Sequence, residues 1–347
     1  DLRANPSLKR EVRIVTNITN QPIKCDSDTI HVFSVMNGTV DVILSVINSL
    51  PADSIIYLGG YGKSCDELLS KLPANRHDIQ YFNSIVDLSI SKLGIDEYPI
   101  PNYELFKDMY TIPRITLSRG CKNNCSFCVA NKQPFKELSY DDVYAQIQAL
   151  QPLQFKYIYI DDKTFGQASN INWLKGLKSA IEQFNPDFVG YIVQTDAIML
   201  SDLKFCEKLK SYDVKFVELG VESYNNDVLQ YMNKRITTDL IALSMKYCDR
   251  LGIKVIPNII IGLPTENLYS YLNTIDFVRR YKNKGKKGID IINIFLYADY
   301  ANNQSELDYN RVLSIRDNQI FLLSLLSLLQ DKYNSLFNID NNNNTIS

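Results

Sequence analysis

The residues most able to do chemistry lie in one stretch, Ser118-Arg-Gly-Cys121-Lys-Asn-Asn-Cys125-Ser-Phe-Cys128. Cysteine thiolates are the usual ligands of 4Fe–4S clusters, and gaps of three and then two residues let one short loop hold three irons of a cubane. With no fourth cysteine nearby, the last iron is left open, and an open iron is a reaction site. Two other readings compete. A zinc site would want four N or S ligands in tetrahedral array, and Cys25, Cys65, Cys206, Cys248, His31 and His77 are all distant in sequence. A disulfide framework suits neither the odd count of seven cysteines nor the chain's ordinary composition. The four other cysteines read most simply as buried or half-buried thiols.

Such a loop needs a scaffold that presents it over a site. Strand-like runs recur at 114–118, 156–160, 188–194, 215–219, 254–261 and 289–296, with helix-length patterns at 139–151, 169–184, 201–211, 238–251 and 266–281. Alternation of this kind predicts parallel βα units. Six of them suggest a partial barrel over 114–300. Ser139 with Asp142 reads as a helix start like a capping box, Asp replacing the usual Glu or Gln, so the cysteine loop joins the first strand to the first helix. Chemistry in parallel βα architectures sits at the C-terminal strand ends, on loops of this kind.

Ahead of a linker at 98–113 that contains Tyr98-Pro-Ile-Pro101, apolar runs at 12–16, 30–35, 55–58 and 79–82 alternate with amphipathic stretches at 38–50, 64–72 and 83–92. That pattern predicts a small parallel sheet covered by helices over residues 1–97. Residues 301–338 read as a leucine-rich helical segment, and the Asn-rich 339–347 as a disordered tail. The expected fold class is therefore α/β: an N-terminal Rossmann-like parallel sheet domain, a partial (βα)6 TIM-like barrel, and a C-terminal helical segment.

A chain of 347 residues with 45% apolar side chains can bury a large core. Its longest apolar run, Ile320 to Leu329, is interrupted by Ser324 and Ser327 and is far short of a bilayer span. No charged-then-apolar signal segment opens the sequence, so a cytoplasmic location is expected. The chain starts at Asp1 rather than Met, as a trimmed N-terminus would. A net charge of −2 gives no footprint for nucleic acid. The local basic run Arg279, Arg280, Lys282, Lys284, Lys286 and Lys287 reads as a solvated helix end.

The cysteine spacing with Phe127 in the aromatic position resembles the C-x3-C-x-aromatic-C signature of the radical S-adenosylmethionine (radical SAM) superfamily. Residues 114 to 296 resemble the core domain of those members that carry a cobalamin-binding-like domain in front. Tyr159-Ile-Asp161-Asp162-Lys-Thr-Phe165 is similar to a segment after strand two that holds the methionine moiety of SAM. Glu218-Leu-Gly220-Val-Glu222-Ser223 is similar to a segment after strand four that faces its ribose or carboxylate. Ile260-Ile-Gly262-Leu263-Pro264-Thr-Glu266 is similar to a segment after strand five that lies against adenine. Gln194, ending strand three, points into the same site if the register holds. The resemblance thus implies cluster ligation by Cys121, Cys125 and Cys128, and cofactor binding by Phe127, Asp161, Asp162, Gln194, Glu222, Ser223, Ile260 and Leu263. Taken singly, an Asp pair after a strand is often a turn or cap, and Gly-Leu-Pro a tight turn.

In the front half, Ser34 and Gly59-Gly60 resemble small-residue positions where cobalamin-binding domains let the nucleotide tail approach the backbone. The expected D-x-H-x-x-G is absent: Asp1-Leu-Arg3-Ala-Asn-Pro6 has Arg in the place of the cobalt-ligating His, and neither His31 nor His77 sits in such a motif. His31 reads as packed or surface-facing. Gly60-Tyr-Gly62-Lys63-Ser64 fails as a phosphate loop because Tyr57 occupies the first glycine position.

The resemblance implies a 4Fe–4S cluster and SAM as cofactors, with cobalamin as a candidate third. It implies reductive cleavage of SAM to methionine and a 5'-deoxyadenosyl radical that abstracts hydrogen from substrate, with cobalamin-dependent methyl transfer as one outcome. Expected partners are a small-molecule, lipid or peptide substrate and a reductant such as flavodoxin or ferredoxin. Nucleic acid is not expected. Two alternatives stand beside this: a methylthiotransferase acting on tRNA or protein, whose second cluster would need three N-terminal cysteines where only Cys25 and Cys65 are present, and a non-catalytic iron-sulfur protein. The strand-six continuation Leu296-Tyr-Ala-Asp-Tyr300 lacks the P-G-T turn common in the group, so the substrate pocket does not carry over.

Overall fold

Buried and exposed residues alternate along Ile30–Val35, whereas Ile56, Tyr57 and Leu58 are buried in succession. The first pattern suits an edge strand and the second a central one. The computed structural model describes residues 30–35, 39–60, 62–73, 76, 79–82, 100, 103–107, 110–128, 134–263, 265–281, 291–297, 339–340 and 345–346. The chain divides into two compact units, Asp1–Asn102 and Tyr103–Ser347. Outside the described residues lie the expected strand at 12–16, the helices at 83–92 and 301–338, Asp1–Pro6, Cys25, His77, Pro264, Asp299 and Tyr300, and Lys282 to Lys287.

In the first unit, β1 (Ile30–Val35), β2 (Ile55–Gly60) and β3 (Ile79–Tyr81) form a parallel sheet in the order β1-β2-β3. Helices α1 (Val40–Ser49) and α2 (Gly62–Ser70) make the crossovers. Val40, Ile43 and Ile47 recur at helical spacing and are buried against the apolar face of the strands. Arg76 donates to the carbonyls of Ile47, Leu50 and Pro51, satisfying acceptors that the end of α1 leaves open. Gly60 has φ 121°, and a Cβ there would fall 2.1 Å from the carbonyl oxygen of Val35. Packing between strands thus accounts for this glycine, whereas a Cβ on Gly59 would meet only the Phe82 oxygen at 3.8 Å. His31 is buried and stacks on Phe33.

The second unit is built on six parallel strands in the order β4 (Arg114–Ile115), β7 (Tyr157–Ile160), β8 (Gly190–Thr195), β9 (Val214–Glu222), β10 (Lys254–Ile261) and β11 (Asn293–Leu296). Tyr191, Val193, Val217, Leu219 and Val221 alternate along β8 and β9 and are fully buried. They share one core with residues of the crossover helices α3 (Tyr140–Ala149), α4 (Leu174–Glu182), α6 (Leu203–Ser211) and α8 (Thr238–Leu251), among them Val143, Leu177, Leu209 and Ile241. The intervening residues face the other side of the sheet, where the Tyr159 hydroxyl donates to Glu218 Oε2 at 2.9 Å.

Three local expectations need correction. The first strand is interrupted: Gln146 pairs with both backbone groups of Thr116, at 2.8 and 2.9 Å, and Asp162 takes the next two N–H groups. Ser118–Arg119 (β5) then pairs antiparallel with Lys136–Glu137 (β6). The helix expected at 201–211 is preceded by α5 (Ala197–Leu200), because Asp196 and Asp202 cap successive short helices. A further helix, α7 (Asn226–Tyr231), starts on the Asn225 cap. The tail expected to be disordered contains β12 (Ile339–Asp340) and β13 (Thr345–Ile346), which pair with each other, and β13 with β11. β-Branched residues flanking an Asn run are hairpin chemistry. The last crossover helix is α9 (Leu268–Tyr281), whose Arg279 and Arg280 pair with Asp276.

Candidate active site

The cysteine loop opens at Gly120, whose φ of 71° turns the chain out of β5. The β5–β6 pairing closes its base, and the Ser139–Asp142 capping box starts α3 two residues later. Contacts from three successive strand ends then strap the loop. After β7, Gln167 accepts from Lys122 N at 2.9 Å through its side chain and from Lys122 Nζ at 2.8 Å through its carbonyl. After β8, Asp196 accepts from Asn123 Nδ2 at 2.9 Å. After β9, the Met232 carbonyl accepts from Ser126 N at 2.9 Å, and Asn233 Nδ2 donates to the Asn124 carbonyl at 2.6 Å.

Cys121, Cys125 and Cys128 are half-buried and form no disulfide. Cys121 Sγ lies 3.3 Å from Thr164 Oγ1 and accepts from Asn123 N at 3.4 Å. Burial pushes the Cys125 thiol up to about 11; Lys234 opposes that rise, while Glu222 and the two neighbouring cysteines add to it. Among the described residues no group of three His, Cys, Asp or Glu side chains converges on the position of one metal ion. A cubane asks for something different, since each thiolate binds a separate iron. Three thiols outside any disulfide, on one strapped loop at the C-terminal strand ends, fit that demand. Separately, just past the end of β9, the fully buried hydroxyl of Ser223 has no hydrogen-bond partner among the described residues, an unsatisfied polar group of the kind a bound cofactor satisfies.

The other candidate residues fall into separate places. Asp162 is 2% exposed and directed at the loop's root: Oδ1 accepts from Leu117 N and Ser118 N at 2.8 and 2.9 Å, and Oδ2 from Ser118 Oγ at 2.7 Å. Burial raises its pKa against the pull of those donors. Asp161 is more exposed and pairs with Arg114 at 3.2 Å and Lys163 at 3.6 Å. Gln194 lies beside Tyr159, on the sheet face away from the helix-packed core, and opposite Glu218 in register. Burial, then the Glu218 carboxylate, raises the pKa of Tyr159, and the Arg114 guanidinium stacks 4.2 Å from its ring. Glu222 has φ 61°, an uncommon conformation for a residue with a side chain, just past a register shift between β9 and β10. Its Oε1 accepts from Lys234 Nζ at 2.5 Å. Phe127 packs against the core, with Lys234 Nζ 6.0 Å from its ring centre. Ile260 and Leu263 are buried at and just past the end of β10, where Glu266 Oε2 accepts from Gly262 N at 2.7 Å and Leu263 N at 3.0 Å.

Sequence reading missed Thr164, Gln167, Asp196 and Met232–Lys234. Asp196 carried a usable signal, an Asp before an apolar helix start. Met232 acts through its carbonyl, and Thr164, Gln167, Asn233 and Lys234 reach their partners through tertiary contacts, which leave no residue pattern.

Residues 115–278 match the model of the Radical SAM superfamily, and this part of the chain is a radical SAM domain. An uncharacterised methyltransferase of Pyrococcus horikoshii is 23% identical over 193 residues, covering 54% of this chain and 42% of its own. The ribosomal protein uS12 methylthiotransferase RimO of Thermosipho melanesiensis is 26% identical over 211 residues, covering 58% of this chain and 48% of its own. The chain thus spans less than half the length of either relative. Among solved structures, the radical SAM methyltransferase TsrM of Kitasatospora setae, with tryptophan and a SAM analogue bound, aligns with a TM-score of 0.55 at 13% identity. That alignment covers 78% of this chain and 64% of TsrM. The cobalamin-dependent enzyme OxsB, with aqua-cobalamin and SAM bound, also gives 0.55, at 15% identity over 91% of this chain and 55% of OxsB. At such identities the likeness is one of fold. The superfamily uses a 4Fe–4S cluster and SAM, and no described helix is long and apolar enough to cross a membrane.

Proposed function

We propose that the chain is a radical SAM enzyme that acts on a small-molecule, lipid or peptide substrate, with methyl transfer as the leading outcome and a corrinoid as a candidate third cofactor. The observation that carries this reading is the strapping of Cys121–Cys128 across the C-terminal ends of β7, β8 and β9. When bound, a cluster there supplies the electron that splits SAM into methionine and a 5'-deoxyadenosyl radical, which takes hydrogen from substrate. The chain's own work is binding and orientation. Cys121, Cys125 and Cys128 would hold three irons, Ser223 and Glu222 offer polar groups to SAM, and the buried Ile260 and Leu263 offer it an apolar wall. Asp162 acts at one remove, fixing the root of the loop. We read the six-stranded sheet as a partial barrel whose inner face, with Tyr159, Gln194 and Glu218, turns toward the substrate.

The front unit is read as a cobalamin-binding-like domain without the histidine ligand of its motif. Gly59, which the described chain does not crowd, is the position that supports it. The likeness to RimO favours methylthiolation as the second reading, but Cys65 is buried in the first unit's core and ill-suited to a second cluster. The test is anaerobic reconstitution with iron and sulfide, with and without hydroxocobalamin, then reduction with SAM and chromatography. 5'-Deoxyadenosine, abolished by Ala at Cys121, Cys125 or Cys128, is the expected product, together with retained corrinoid. Product formation that survives those substitutions would overturn the assignment.

A further inference from the structure

The loop after β9 reaches the cysteine loop through Met232-Asn233-Lys234. Asn233 takes φ 52°, so that the Met232 carbonyl and the Asn233 amide both engage the cysteine loop while the chain turns inward. Lys234 is thereby buried, its side chain 8% exposed. Its ammonium donates to Glu222 Oε1 at 2.5 Å and to the Gly220 carbonyl at 2.7 Å, and lies 6.0 Å from the centre of the Phe127 ring, between two of the cysteines in sequence. Burying an ammonium costs several kcal/mol before its partners repay it.

We propose that Lys234 is a positioning residue that presents a positive charge to the cluster side of the site and so eases the uptake of an electron by a cluster held on Cys121, Cys125 and Cys128. The inference rests on the radical SAM reading. Three thiolates make the loop anionic, and each electron delivered adds negative charge. A fixed cation in a poorly screened setting favours the reduced state. The step would be a single electron passing from an external low-potential donor to the bound cluster; no covalent bond forms or breaks, and no proton moves. The same ammonium braces Glu222 in its left-handed conformation, which joins the charge to the SAM side of the site.

The test is a redox titration of the reconstituted full chain, followed by electron paramagnetic resonance without SAM. Glu222→Gln is compared with Glu222→Gln/Lys234→Gln, which removes the charge without leaving a buried carboxylate alone. The reduced-to-oxidised ratio at a fixed potential should fall about tenfold in the double variant, about 59 mV for one electron. Lys234→Arg, which keeps the charge but changes the hydrogen bonds, should hold the parent's midpoint. Equal midpoints for the two Gln variants, or an Arg variant displaced as far as the Gln one, would overturn the proposal. A parent protein that shows no 4Fe–4S signal at all would instead overturn the radical SAM reading beneath it.

Discussion

Asp162 shows how one side chain can serve a site from outside it. Its two oxygens take three donors from Leu117 and Ser118 in a region closed to water. Asp162→Ala leaves two buried N–H groups without acceptors and should cost about 3 kcal/mol. Urea denaturation should report that loss, and iron uptake should fall with it; unchanged stability would contradict the assignment. Glu266 carries a pH signature. Burial raises its pKa to about 7 although two backbone N–H groups and Tyr271 pull the other way. The folded state therefore keeps a proton that the unfolded chain releases near 4.5. The stabilisation is complete below that pH and is lost as pH rises through about 7, a change on the order of 3 kcal/mol. Glu266→Gln keeps an acceptor oxygen for Gly262 and Leu263 and should flatten the slope. Guanidinium unfolding of both proteins at pH 5 and pH 8 checks this, and parallel slopes would count against it.

At the scale of elements, the helix that follows the cysteine loop depends on its first turn. Ser139 Oγ accepts from Asp142 N at 3.1 Å while Asp142 Oδ2 accepts from Ser139 N at 3.3 Å, a reciprocal box legible from the two residue types alone. Ser139→Ala should destabilise the second unit by about 1 kcal/mol, read as a shift in urea midpoint at constant slope. Strands such as 254–261 and helices such as 238–251 were equally legible, because β-branched runs and 3.6-residue spacing report directly on a two-layer α/β arrangement. The broken first strand was not, because its cause is a tertiary contact from Gln146, thirty positions on. The cysteines announced themselves by spacing. Lys234 did not, because a lone lysine after a short helix looks like any solvated cation until the turn at Asn233 buries it.

For the whole molecule, the two units answer different questions. The second unit carries the thiols, the straps and the parallel strands, and its match to the Radical SAM superfamily covers 115–278. The first is a βαβαβ sheet in which strand packing explains Gly60 and leaves Gly59 uncrowded. The central claim is that three cysteines hold a cluster whose remaining iron takes SAM. Mössbauer spectroscopy of anaerobically reconstituted, iron-isotope-enriched protein, with and without SAM, tests it most directly. The account predicts that SAM changes the signal of one iron in four and leaves the three thiolate-bound irons as they were. Four irons that ignore SAM, or a spectrum with no cubane, would contradict it.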